Sequence, residues 1–163
     1  MKFVKKKWGS EGVRSCIALT KEMDLTMVQG DKWYPIEYSD RIIEWMAKEH
    51  GMESVRQSGL ATATEIGVIK YLARIAGIKN VLERGHQELR ENFDFGEAHF
   101  ETFDDHAMVH FKGVTRIKVS CVAWSGAFAG ILQITGNKSG KVTEIECEHE
   151  GGKECVFKLI YKT

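Results

Sequence analysis

The order of predicted elements along these 163 residues indicates an α+β fold, with a mainly antiparallel sheet packed with helices. Three helical stretches are followed by two short strands, a long uncharged helix and a closing hairpin. Strands joined by tight turns pair antiparallel, so this order does not favour a parallel sheet with crossover helices. The length fits one compact domain over residues 1–163.

The helical stretches are recognised from apolar residues spaced three and four apart and from the glycines around them. We predict them over residues 38–49, 53–76 and 78–92. Gly51 and Gly77 each follow a last turn and act as stop signals. Gly59 and Gly67 lie inside the second stretch and favour a break in it.

Short β-patterned runs are predicted over residues 14–19, 97–103 and 108–111. Asp104 and Asp105 supply the turn between the last two runs. The first run follows four lysines among the first seven residues, which we interpret as a solvated tail.

The segment from Val119 to Asn137 carries no charge, and its length alone would allow a membrane span. Its many polar and small residues do not suit a lipid-facing helix, so we predict a buried helix. Gly126 and Gly130, four residues apart, would let the backbone of another element approach closely.

The end of the chain has the pattern of a β-hairpin that turns around Gly151 and Gly152. This hairpin makes Cys147 and Cys155 cross-strand neighbours, close enough for a disulfide or for two thiolates on one metal ion. Cys121, at the start of the buried helix, is a candidate third ligand, and three cysteines plus one more residue often form a structural zinc site. The alternatives are a disulfide and reduced cysteines that only fill the hairpin.

The fourth ligand stays open on spacing alone. His149 lies two residues after Cys147 and shares its face of an ideal strand. Glu144 lies three residues before Cys147 and would reach the same metal only across a bulge or a strong bend.

Cys121 precedes a glycine-containing helix, the pattern Glu144-x2-Cys147-x7-Cys155 lies near the end of the chain, and Phe157 follows two residues after its last cysteine. With these motifs, the last 45 or so residues resemble the 4-vinyl reductase (4VR) domain family. The resemblance implies a structural zinc ion bound by Cys121, Glu144, Cys147 and Cys155. It also implies a fold related to the ligand-binding domains of nitric-oxide signalling and to the TRAPP vesicle-tethering subunits, commonly as a homodimer.

The same resemblance implies a sensor or regulatory domain that binds a small hydrophobic or aromatic molecule and acts on a separate, unknown protein partner. The candidate pocket residues are Phe100, His106, Phe111, Trp124 and Phe128. Ordinary core packing is the alternative for each aromatic ring. Two other functions compete with the sensor, namely an accessory subunit of a reductase or other enzyme, and a protein-interaction scaffold.

Composition and missing motifs exclude several classes of protein. The 23 basic and 23 acidic residues cancel, which does not favour a nucleic-acid binder. The first residues lack the apolar stretch of a signal peptide, so we expect a cytoplasmic protein that does not bind membranes. The sequence contains no nucleophile elbow, phosphate-binding loop or zinc-protease motif, and we do not expect an enzyme.

Overall fold

The computed structural model describes residues 1–21, 34–64, 67–92, 94 and 96–161. Within these ranges the helices are α1 (Lys2–Leu19), α2 (Glu37–His50), α3 (Met52–Thr64), α4 (Gly67–Asn92) and α5 (Lys118–Ile134). The strands are β1 (Glu97–Thr102), β2 (His106–Lys112), β3 (Lys141–Glu146) and β4 (Cys155–Ile160). They form an antiparallel sheet in the order β1-β2-β4-β3. The predicted α+β class is confirmed.

Helix α5 lies between the sheet and the first three helices. Cys121, Phe128 and Leu132 belong to the core that α5 shares with the sheet. Val119 and Val122 belong to the second core, which contains buried residues of α1, α2 and α3. Burial on both sides explains why this helix carries no charge after its first residue. No helix in the described part of the chain is long and apolar enough to cross a membrane.

Glycines bring the backbones of α3 and α5 into direct contact. A Cβ atom added at Gly126 would lie 1.9 Å from the carbonyl oxygen of Arg56, and one added at Gly59 would lie 1.9 Å from that of Ala123. A Cβ atom at Gly130 would meet a side chain of α3 at 2.7 Å. The predicted close approach at Gly126 and Gly130 is confirmed, and α3 is the element that approaches.

The solvated tail predicted at the lysine-rich start and the strand predicted over 14–19 are both wrong, because α1 covers both ranges. Gly9 inside α1 is non-helical (φ 62°, ψ −153°), so α1 consists of two helical segments joined at a kink. The first segment contains the lysines and the buried Val4, and the second contains the buried Gly12 and Cys16, four residues apart on one face. The short run after Arg14 is β-prone in isolation, but it ends the second helical segment.

Most other boundaries agree with the predictions. Helix α2 and the second half of α4 match the predicted helices, and Gly77 is non-helical (φ 77°, ψ 169°). The break favoured by Gly67 is consistent with α3 ending at Thr64, although residues 65 and 66 lie outside the described ranges. The break favoured by Gly59 is wrong, because this glycine lies inside α3 and serves the contact with α5.

Substituting Gly126→Ala tests the backbone contact. The added methyl group meets rigid backbone, so we expect the free energy of unfolding to fall by about 1–3 kcal/mol. Gly85→Ala is the matched control, since its Cβ would lie 3.9 Å from the nearest side chain and alanine favours a helix interior. Urea denaturation measures the free energy of unfolding of both variants. Equal stabilities of the two variants would contradict the contact.

Candidate functional site

Three cysteines and one glutamate meet beside the start of α5. The Sγ atom of Cys121 lies 3.7 Å from that of Cys155 and 4.0 Å from that of Cys147. With a carboxylate oxygen of Glu144, the three sulfur atoms lie within 4.8 Å of one another. We call these four residues the thiol–carboxylate cluster. All three cysteines are free thiols, and Cys16 lies in the other core.

A β-bulge in β3 places the Glu144 side chain on the side of the strand that faces the three cysteines. Glu144 pairs with Phe157 and Glu146 pairs with Val156, so the register shifts by one residue between them. An extra residue in one strand reverses the alternation of faces, so side chains three apart point to the same side. The structure therefore contains the bulge that Glu144 would need to reach the same site as Cys147.

His149, the alternative fourth ligand, forms a hydrogen bond outside the cluster. Its Nε2 atom lies 2.6 Å from the carbonyl oxygen of Thr115, to which it donates a hydrogen bond. The same turn forms a second group of ligand-type atoms from Glu148, His149 and Cys155. In that group Glu148 already accepts a 2.7 Å hydrogen bond from the Thr115 hydroxyl. These contacts bind the turn to the segment before α5 and leave Glu144 as the acidic member of the cluster.

The three cysteines of the cluster are buried, and Glu144 is half-buried. Burial, and after it the charges of Cys155 and Glu144, raises the pKa of the Cys121 thiol far above its ordinary value. Burial also raises the pKa of Cys147. The Oε1 atom of Glu144 is buried and accepts no hydrogen bond from the described residues. An unpaired buried carboxylate oxygen is costly, and a metal ion is one partner that would satisfy it.

Aromatic rings fill the space between α5 and the sheet. Four of the five predicted pocket residues meet there, joined by Phe157, with ring centroids 4.9 to 6.3 Å apart in the contacting pairs. We call this set the aromatic group: Phe100, Phe111, Trp124, Phe128 and Phe157. Sequence reasoning did not place Phe157 in the pocket, although it shares a strand face with Cys155 two residues earlier.

His106 does not join the aromatic group, and its assignment to the pocket is corrected. It lies five residues before Phe111 on β2, so the two side chains point to opposite faces of the sheet. His106 instead stacks on Phe103 at 4.5 Å and contacts Asp105 at 2.6 Å. The alternation of β2 could have excluded it from the sequence alone.

Comparison with known proteins identifies the fold. No family model matches the sequence, and no curated protein matches it. An H-NOX protein from S. oneidensis in the Fe(II)NO ligation state has a TM-score of 0.74 at 12% identity, covering 99% of this chain and 94% of its own. The IWP-051-bound H-NOX from Shewanella woodyi in the Fe(II)CO state has a TM-score of 0.69 at 10% identity, covering 98% and 89%. The chain therefore has an H-NOX-like fold, and the 4VR resemblance stays a prediction.

The structural zinc expected as the cofactor is contradicted by these structures. A further match, from work on heme distortion in the H-NOX family, has a TM-score of 0.70 at 16% identity over 99% of this chain and 90% of its own. The cofactor of the solved proteins with this fold is thus haem rather than zinc. Zinc is withdrawn as the assigned cofactor.

The described side chains do not fit a haem. Haem iron takes an axial ligand such as histidine and needs an apolar cleft for the porphyrin. The ring of His86 on α4 lies 6.3 Å from that of Phe100, which packs against the core. Leu82, one turn earlier, is fully buried in the same core. The described neighbours Leu82 and Phe100 therefore pack with the core, and we derive no function through haem.

The raised pKa of Cys121 predicts a loss of stability in alkali. Above about pH 9, the unfolded chain loses the Cys121 proton while the folded, metal-free chain keeps it, so the free energy of unfolding falls as pH rises. The slope from this thiol approaches about 1.4 kcal/mol per pH unit only well above pH 9, and the total fall between about pH 8 and 10 is about 1.4 kcal/mol. Urea denaturation under reducing conditions between about pH 8 and 10 measures it. The Cys121→Ala variant should show a shallower slope, and identical slopes would contradict the raised pKa.

Proposed function

We propose that this chain is a regulatory domain that binds a small hydrophobic molecule at the aromatic group and transmits that binding through α5. The observation that carries the proposal is that one face of α5 bears residues of both the cluster and the aromatic group. Cys121, Trp124 and Phe128 follow one another at spacings of three and four, so one side of α5 carries both the cluster and two of the rings. A ligand that displaces Trp124 would therefore act on the same helix that the cluster holds.

The composition of the aromatic group supports an apolar ligand. Phe111, Phe128 and Phe157 are fully buried, whereas Phe100 and Trp124 are half-buried and form its accessible side. Pockets for small molecules are lined mainly by apolar and aromatic side chains. A flat aromatic molecule can replace ring contacts of the edge-to-face kind seen between Phe111 and Trp124.

We further propose that the thiol–carboxylate cluster binds one thiophilic transition-metal ion. Three thiolates and a carboxylate form a closed set of four ligands, and the buried, unpaired Oε1 of Glu144 is the observation that favours an ion over simple packing. A bound ion would cross-link the first turn of α5 to β3 and β4. One side chain comes from α5 and the other three from the β3–β4 hairpin, so the ion would hold α5 against the sheet.

Metal content tests the cluster. We expect purified, reduced protein to hold close to one transition-metal ion per chain, with all first-row transition metals measured by mass spectrometry. Glu144→Gln keeps the side-chain shape but removes the charge, and should weaken metal binding at least about tenfold. Glu146→Gln is the matched control, because Glu146 lies on the same strand outside the cluster. Metal-free wild type, or equal affinity of the two variants, would contradict the metal site.

Native mass spectrometry tests the ligand. Protein from its own host should carry a small molecule, or should bind at least one of indole, phenol and toluene when these are added. Trp124→Ala should abolish that binding. Trp45→Ala is the control, because Trp45 packs against the other core, among α1, α2 and α3. The absence of any bound molecule in the wild type under both conditions would rule out the ligand-binding proposal.

The interaction scaffold is the second candidate, and it has its own support. Three rings of the aromatic group are already fully buried against one another, as in an ordinary core. A scaffold would retain the metal ion and the fold but bind none of the added molecules. The homodimer, the separate protein partner, the enzyme accessory subunit and the cytoplasmic location stay predictions from the sequence.

A further inference from the structure

We propose that the segment between β2 and α5, residues 113–117, couples the thiol–carboxylate cluster to helix α2. We call this segment the β2–α5 loop. The inference rests on the metal binding proposed above and adds a route by which occupancy of the cluster changes the docking of a helix in the other half of the fold.

One end of the route is a direct contact with a cluster residue. The hydroxyl of Thr115 lies 3.0 Å from Cys155 Sγ and donates a 2.7 Å hydrogen bond to Glu148. The other carboxylate oxygen of Glu148 accepts a hydrogen bond from the backbone N–H of Gly113 at 3.1 Å. His149 donates to the carbonyl oxygen of Thr115. The loop is thus bonded to the cluster and to the turn that follows Cys147.

The other end of the route is an ion pair with α2. Arg116, the residue after Thr115, donates a hydrogen bond to the carboxylate of Glu37 in the first turn of α2. Its Nε atom lies 3.8 Å from a carboxylate oxygen of Asp40, one turn further along. Neighbouring residues of one short loop therefore hold a cluster sulfur atom on one side and α2 on the other.

Burial makes this connection stiff. Thr115 is 1% exposed and its hydroxyl and carbonyl groups are both bonded, so it has no free space in which to absorb a displacement of Cys155. A metal ion would fix the Cys155 sulfur at the centre of the cluster and would thereby fix Thr115. The position of Arg116 follows, and with it the strength of the contact to α2. By linkage, weakening the α2 contact must also weaken metal binding.

A cobalt(II) titration with hydrogen exchange tests the coupling. In wild type, Co²⁺ loading should slow amide exchange in α2, residues 37–50. Arg116→Gln should abolish that slowing and weaken Co²⁺ binding about two- to fivefold, the scale of a partly exposed ion pair. Glu37→Gln should have the same effect, and the double variant should add no further loss.

Lys79→Gln is the matched control, because Lys79 is about as exposed as Arg116 and forms an ion pair with Asp104 that joins α4 to the turn between β1 and β2. It should leave both readouts at the wild-type value, and near-ultraviolet circular dichroism shows whether each variant is folded. Wild type that binds Co²⁺ without any change in α2 exchange, or Arg116→Gln that behaves like Lys79→Gln, would overturn the coupling alone. Wild type that binds no Co²⁺ would overturn the proposed metal site and the coupling together.

Discussion

The backbone contact between α3 and α5 is the constraint on which the other features depend. Glycines on both helices remove the Cβ atoms that would keep the two backbones apart, so α5 lies against α3 along its length. With that side fixed, the opposite side of α5 can face only the sheet. Cys121, Trp124 and Phe128 are therefore directed at β2 and β4, and both candidate sites form against this one helix.

The solved proteins with this fold include H-NOX proteins with iron-bound ligands, and the described residues of this chain bring three cysteines and a glutamate together in the same architecture. The described neighbours of His86 include Phe100, which packs against the core, and a thiol–carboxylate cluster lies at the start of α5. A shared fold does not decide what occupies its interior, because interior contacts depend on side chains that differ at identities of 10–16%. The function must therefore be argued from the residues of this chain.

Short-range patterns explain why most elements could be predicted and why two could not. Helices α2 and α5 and the two β-hairpins have strong periods and clear turn residues, which depend on neighbouring positions only. Helix α1 was mistaken for a tail and a strand because a kink at Gly9 interrupts its helical period and lysines dominate its first turns. Gly59 has low helix propensity, but close packing against α5 outweighs that local preference.

By itself, the sequence determined the α+β class, the order of the elements after α1 and the closing hairpin that carries Cys147 and Cys155, because helix periods and turn residues follow from local spacing. Only the tertiary structure placed Glu144 beside the three sulfur atoms and His149 against Thr115, because a bulge in β3 reverses the strand face and the Thr115 carbonyl accepts a hydrogen bond from the histidine. It alone joined Arg116 to α2, a contact between residues far apart in sequence. Such contacts depend on how the packed elements meet, and no local pattern contains that information.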